Sequence, residues 1–104
     1  MEKVAFKMKL NPGLKEEYKR RHDQIWPELK HLLKENGVSD YTIFLDEETN
    51  TLFGVQKNSD KGSSQNLGAT EIIQRWWEYM ADIMETNPDH SPVTISLEKL
   101  FHMD

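Results

Sequence analysis

The 104-residue chain contains no cysteine. This absence excludes disulfide bonds, thiolate nucleophiles and thiolate metal ligands together. The sequence also lacks any run of 18 consecutive apolar residues and any apolar leader followed by small residues, so we expect neither a transmembrane segment nor a signal peptide. We therefore predict a cytoplasmic protein.

Motifs for nucleotide binding and for serine hydrolysis are absent as well. The sequence has no glycine-rich phosphate loop, no dinucleotide-binding glycine fingerprint and no serine nucleophile elbow. We expect no cofactor. We also expect no metal site, because no HxH or HxxxH spacing occurs among the four histidines, which are His22, His31, His90 and His102.

The charge pattern limits the kind of partner. A net charge of −5 argues against nucleic acid or an anionic membrane, since both require a clustered basic face. The one basic cluster, Lys19-Arg20-Arg21, stands among acidic residues of the same predicted helix and indicates a solvent-exposed face. The length predicts one domain, residues 1–104, with a single modest core.

The hydrophobic pattern predicts six elements in the order strand, helix, strand, strand, helix, strand. Strands are indicated by alternation of apolar residues, and helices by an apolar period of 3.6 residues. Pro27 lacks an amide proton, so we expect a kink or a break into two helices near Ile25-Trp26. Residues 58–68 are rich in glycine and serine and predict a loop. The strands are predicted at 3–10, 40–46, 51–57 and 93–101, and the helices at about 13–36 and 69–84.

This order is typical of an α+β, ferredoxin-like fold with the split β-α-β arrangement (βαββαβ). Such a fold has a four-stranded antiparallel sheet with two helices on one face. The opposite sheet face needs a cover, and a second copy of the chain packing sheet to sheet gives a dimeric α/β barrel. We therefore expect a homodimer through the sheet face.

Tyr18 and His22 lie four residues apart on the apolar stripe of the first helix. Their side chains should meet on one surface, about 6 Å apart along the helix axis. Imidazole exchanges protons near neutral pH, and a phenol can hold a substrate hydroxyl. A structural histidine, satisfied by a backbone carbonyl or by Tyr18 itself, explains the same pattern. Periodicity alone leaves both readings open.

Trp76 and Trp77 are adjacent on the second helix and therefore point about 100° apart, so both cannot enter one core stripe. We expect one indole in the core and the other at a cleft or a subunit interface. An indole face suits the C–H-rich face of a sugar ring, although core packing plus a dimer contact explains the pair equally well. Tyr41 starts a strand, where a tyrosine often only borders the core. Aromatic rings with one titratable group suit a carbohydrate and simple proton transfer.

Three stretches make the sequence resemble the L-rhamnose mutarotase family over essentially its whole length: EEYKRRHDQIWPEL, YTIFLD and QRWWEYMADIMETNPDHSP. The resemblance implies a dimeric ferredoxin-like barrel that interconverts the α and β anomers of L-rhamnose. It also implies that His22 is the proton donor. The residues it implies as substrate contacts are Tyr18, Tyr41, Trp76 and Trp77.

The chemistry of mutarotation fits these residue types. The reaction moves a proton from the anomeric hydroxyl to the ring oxygen, and general acid–base help of about 10²–10⁴-fold together with positioning is sufficient. Two alternatives remain at this point. One is a cofactor-independent monooxygenase of the same barrel architecture, and the other is a non-catalytic sugar-binding dimer in which His22 is simply packed.

Overall fold

A computed structural model describes residues 2–59 and 70–104 of the chain. Within these ranges, four strands and three helices follow one another in the order β1, α1, α2, β2, β3, α3, β4. The strands are β1 (Glu2–Lys9), β2 (Val38–Asp46), β3 (Thr51–Asn58) and β4 (Ile95–Leu97). The helices are α1 (Lys15–Asp23), α2 (Pro27–Glu35) and α3 (Glu71–Met80).

The strands form one antiparallel sheet in the order β2-β3-β1-β4. β1 pairs with β3 along its whole length, from Glu2 to Lys9, and with β4 only over Ala5–Lys7. β2 pairs with β3, so β2 and β4 are the two edge strands of the sheet. This arrangement confirms the predicted α+β fold class with a four-stranded antiparallel sheet.

The core lies on one face of the sheet, where the three helices pack. Phe6 and Met8 of β1 and Leu52 of β3 contribute the sheet side of this core. The helices contribute Tyr18, Leu29, Ile73, Trp76 and Met80. The opposite face is open, and its large apolar residues Phe44, Ile95 and Leu97 are 60%, 55% and 38% exposed.

Pro27 divides the long predicted helix into two. Trp26, the residue before it, has the extended backbone angles φ −61° and ψ 129°, because a following proline disfavours the helical conformation. As the first residue of α2, Pro27 loses no hydrogen bond, since the first amides of a helix have no partner within it. The break into two helices is one of the two outcomes that the sequence predicts.

Other element boundaries differ from the prediction. α3 ends at Met80 rather than near residue 84, because the chain that follows hydrogen-bonds to the end of β1. There the Asn11 amide donates to the Ile83 carbonyl at 2.9 Å, and the Glu85 amide donates to the Lys9 carbonyl at 3.1 Å. β4 has three residues, fewer than the predicted 93–101, and β2 begins two residues early. Most of the predicted loop at 58–68 and the predicted helix start at residue 69 lie outside the described residues.

Gly54 on β3 determines how the Phe6 ring lies on the sheet. A Cβ atom at position 54 would come within 2.7 Å of that ring, so only glycine leaves it room. Phe6 in turn meets the ring of Tyr41 edge-on, with 6.1 Å between the ring centroids. The absence of a side chain at Gly54 therefore helps to position Tyr41, which the sequence predicts as a site residue.

We expect Gly54→Ala to destabilise the protein by about 1–3 kcal/mol, because the added methyl must displace a well-packed ring. Urea unfolding followed by tryptophan fluorescence measures the change. Lys57→Ala is the control on the same strand, since its ammonium lies 3.7 Å from Asp40 at the surface and such pairs contribute less than about 1 kcal/mol. Equal stability of Gly54→Ala and the wild type would contradict the packing role.

Candidate functional site

The structure brings all five predicted site residues to one depression on the helix-covered face of the sheet. It consists of a small cavity of about 70 Å³ and an adjoining cleft of about 680 Å³. The cavity and the cleft share the side chains of Tyr18, His22, Tyr41 and Trp76, whereas Trp77 borders only the cavity. A ligand the size of a sugar must lie where the two meet, because the cavity alone is smaller than the usual range of about 300–1,000 Å³ for ligand sites.

His22 packs against Tyr18, which lies one helical turn before it on α1. The two rings are stacked, with 4.3 Å between centroids and 24° between planes. The Nδ1 atom of His22 lies 3.1 Å from the Tyr18 carbonyl oxygen. Because a carbonyl only accepts hydrogen bonds, Nδ1 must carry the hydrogen. In neutral His22 the lone pair is therefore on Nε2.

Burial lowers the pKa of His22 below its ordinary value of 6.5, although the hydrogen bond to the Tyr18 carbonyl partly opposes this. The imidazole is therefore mainly neutral at neutral pH. A neutral imidazole with a free Nε2 first accepts a proton and can then return it to another atom. The protonation state and the tautomer together suit a shuttle between two nearby oxygen atoms.

Tyr18 and Tyr41 each supply a hydroxyl group to the site, and that of Tyr18 stays protonated. Tyr18 is 8% exposed, and its burial raises the pKa of the phenol, with a smaller contribution from nearby Tyr41. A phenol in this state donates one hydrogen bond and accepts others, which suits it to hold a substrate hydroxyl. Tyr18 is therefore a binding group and not a base.

A chain of aromatic contacts leads away from His22. The Trp76 ring meets His22 edge-on with 5.4 Å between centroids, and Trp26 meets Trp76 edge-on at 5.1 Å. Tyr79 stacks on Trp26 at 5.7 Å. Trp26 and Tyr79 were not among the site residues predicted from the sequence. The only signals for them were the three-residue spacing of Trp76 and Tyr79 and the position of Trp26 directly before a proline.

Trp76 and Trp77 lie in different environments, as the helix geometry predicts. Trp76 is buried in the core cluster and also borders both the cavity and the cleft. Trp77 is partly buried, packs against the same cluster and borders the small cavity. Both indoles thus reach the candidate site from adjacent positions on α3.

Arg21 corrects the prediction that the basic cluster of α1 is solvent-exposed. Lys19 and Arg20 are exposed, but Arg21 is only 9% exposed. Its Nη1 donates to the Tyr79 carbonyl at 2.7 Å and to the Asp82 carboxylate at 2.9 Å, and its Nε donates to Glu17 at 2.7 Å. The guanidinium carbon also lies 4.5 Å from the centre of the Tyr79 ring.

These bonds join α1 to the end of α3. The bond from Arg21 lowers the pKa of Asp82, and bonds from Arg20 and then Arg21 lower the pKa of Glu17 to about 2, so both carboxylates stay charged. Because His22 directly follows Arg21 and Trp76 lies on α3, the same bonds hold His22 against Trp76. We regard Arg21 as a residue that supports the geometry of the site.

Arg21→Lys should lower the free energy of unfolding by about 2 kcal/mol, because an ammonium cannot make the forked contacts of a guanidinium. Urea unfolding of the wild type and the variant measures the difference. Arg20→Lys is the matched control, because Arg20 also binds Glu17 but is exposed and should contribute less than about 1 kcal/mol. An Arg21→Lys variant as stable as Arg20→Lys would show that the bonds to Tyr79 and Asp82 contribute nothing.

Two further observations concern only residues 2–59 and 70–104. No group of three or more histidine, aspartate or glutamate side chains in these ranges is arranged to hold a metal ion. No helix in this part of the chain is long and apolar enough to cross a membrane.

Comparison with known proteins gives consistent matches along the chain. The family model described as L-rhamnose mutarotase matches residues 3–103. L-rhamnose mutarotases of Formosa agariphila and Bacteroides thetaiotaomicron are 64% and 62% identical to the chain, with 100% of both sequences covered in each case. A crystal structure of L-rhamnose mutarotase from Formosa agariphila superimposes with a TM-score of 0.94 at 60% identity, covering 100% of both chains.

Proposed function

The chain belongs to the L-rhamnose mutarotase family, and we propose that in this member His22 transfers the proton while Tyr18, Tyr41, Trp76 and Trp77 hold the sugar. The protein is an isomerase that interconverts the α and β anomers of L-rhamnose. One observation carries the assignment of residues. The small cavity is bordered by His22 of α1 and by the four predicted aromatic residues, which are Tyr18, Tyr41, Trp76 and Trp77.

Ring opening begins with neutral His22. Its Nε2 lone pair takes the proton of the anomeric hydroxyl, and the resulting imidazolium donates a proton to the ring oxygen as the C1–O5 bond breaks. Both oxygens are attached to C1, so one imidazole can serve them in turn. The Tyr18 carbonyl stabilises the imidazolium by keeping its hydrogen bond to Nδ1.

The anomer changes in the open-chain form. The aldehyde rotates about C1–C2, and the ring oxygen then attacks the other face of the carbonyl while His22 moves the proton back. No bond between the sugar and the enzyme forms at any step. General acid–base catalysis and positioning therefore supply the whole acceleration.

The four aromatic residues bind the sugar in two ways. The phenols of Tyr18 and Tyr41 hold hydroxyl groups of the sugar and keep C1 beside His22. The indoles of Trp76 and Trp77 supply an apolar wall, which suits the methyl group of a 6-deoxy sugar and the C–H face of its ring. The edge-on contact of Trp76 also keeps the His22 ring in place.

The two alternatives from the sequence are not favoured. A monooxygenase and a non-catalytic sugar-binding dimer both predict relatives of other kinds, whereas full-length relatives at 64% and 62% identity are L-rhamnose mutarotases. A packed histidine also explains only part of the site. His22 does bond to a backbone carbonyl, but its ring borders the cavity as well.

We propose further that residues 1–104 act as one catalytic domain, that the protein works in the cytoplasm and that it forms a homodimer. The open sheet face supports the homodimer, because Phe44, Ile95 and Leu97 are exposed there beside the half-buried Phe53 and Val55. A contiguous apolar surface of this kind is typical of a subunit interface. The absence of cysteine from the 104 residues supports the location, because disulfide-bonded proteins are typical of oxidising compartments.

We expect His22→Ala to lose about 10²–10⁴-fold in kcat/KM, the contribution typical of a general acid–base group. Magnetisation exchange between the α and β anomeric proton signals of L-rhamnose measures the rate above the spontaneous reaction. Tyr18→Phe should keep the ring stack and the carbonyl bond but lose a hydroxyl contact, so we expect mainly a higher KM.

His31→Ala is the matched control, because the His31 side chain is 75% exposed on α2 and should leave the rate unchanged. Unchanged exchange with micromolar wild-type protein would overturn the proposed function. Full activity of His22→Ala would leave the family assignment standing but would require another proton-transfer group.

A further inference from the structure

The last seven residues of the chain, residues 98–104, carry apolar side chains that the rest of the chain does not cover. Leu100, Phe101 and Met103 are 87%, 81% and 79% exposed. The segment is neither helix nor strand, and its one side-chain bond joins His102 to Asp104 at 2.8 Å. Three large apolar residues within four positions favour burial against another surface, because covering apolar area removes it from water.

The outer part of the cleft is a surface that such a segment fits. At about 680 Å³, the cleft is larger than one monosaccharide needs, and beyond the side chains that it shares with the cavity it is bordered by Ile25, Val38 and Leu45. Lys30 and Lys34 of α2 stand beside these apolar residues. Neither lysine forms an ion pair with another residue in the described part of the chain. The cleft thus offers an apolar floor with a rim that is basic along α2, whereas Asp23 and Asp40 stand elsewhere on the rim.

The segment has the complementary pattern. Its apolar residues stand between two acidic ones, Glu98 and Asp104. Seven extended residues span up to about 24 Å, which is close to the length of a strand such as β2. The segment can therefore lie along the cleft with its apolar side chains inward and its carboxylates near the lysines.

The topology favours the segment of a second copy over that of the same chain. β4, which leads into the segment, is at one edge of the sheet, and β2, which borders the cleft, is at the other. If two open faces stack about a two-fold axis parallel to the strands, the β4 edge of one copy lies over the β2 edge of the other. The segment that follows β4 then starts beside that edge and can pass around it to the cleft on the helix-covered face. This arrangement also brings exposed Phe44 against the partner's Ile95 and the partner's Leu97.

We propose that residues 98–104 of a second copy cover the outer cleft, so that the partner's Leu100 and the partner's Phe101 complete each sugar site. The cover excludes water from the bound sugar and holds its hydroxyls against Tyr18 and Tyr41. The identity of the sugar rests on the proposed function, whereas the contact between the segment and the cleft does not.

The first test is complementation between two defective variants in the anomer-exchange assay. One is Leu100→Ser/Phe101→Ser, expected to lose about ten-fold in kcat/KM because its cover is missing. The other is His22→Ala. Mixed after partial unfolding and refolding, they should recover about one quarter of wild-type activity, since half of the dimers are mixed and one of their two sites is complete.

Lys99→Ser is the control within the same segment and should behave as the wild type. Activity of the mixture equal to the sum of its separate components would overturn the proposal, as would full activity of Leu100→Ser/Phe101→Ser. If the wild type itself showed no exchange, the proposed function would fail, and a second measurement would still test the contact.

That measurement uses the natural absence of cysteine. A chain carrying only Lys34→Cys is mixed with a chain carrying only Met103→Cys and treated with a short bis-maleimide. We expect a covalent dimer that contains one chain of each kind. The control pairs Met103→Cys with Glu78→Cys, an exposed position of α3 that does not border the cleft. Equal cross-linking in the two mixtures, or none in either, would show that the segment does not lie beside α2 of a partner.

Discussion

The hydrogen bond between the His22 ring and the Tyr18 carbonyl is the interaction on which the chemistry of this site depends. It fixes the hydrogen on Nδ1 and leaves the lone pair on Nε2, while burial keeps the ring mainly neutral. The stacked Tyr18 ring restricts the imidazole at the same time. One residue thus provides the orienting bond from its backbone, the stacking partner from its ring and a hydroxyl for the sugar. A four-residue helical spacing is the simplest way to obtain all three.

The surrounding structure keeps that turn of helix in place. Pro27 ends α1 just after His22, and the extended Trp26 that precedes it turns its indole against Trp76. The buried guanidinium of Arg21 joins the same turn to the end of α3 through Tyr79 and Asp82. The supports thus come from distant parts of the chain and meet on both sides of His22. A site that has to hold a small sugar without any covalent bond needs this degree of positioning.

The sequence predicted what depends on local spacing. Strand alternation predicted the sheet, and the pattern around Tyr18 and His22 predicted that the two would meet. It did not reveal the burial of Arg21, because the partners of that residue lie 58 and 61 positions further along the chain. The end of α3 was misplaced for a similar reason, since the following residues bond to β1 and not to their own helix. Whether a polar residue is buried depends on tertiary contacts that helical periodicity does not contain.

The central claim concerns the state of one imidazole, and nitrogen NMR of the protein labelled with ¹⁵N-histidine tests it directly. With His22→Ala used to assign the signals, our account predicts that at neutral pH the His22 Nδ1 carries a hydrogen, that Nε2 does not, and that the pKa from the pH titration lies below 6.5. A hydrogen on Nε2 of the neutral ring, or a pKa above 6.5, would contradict the account.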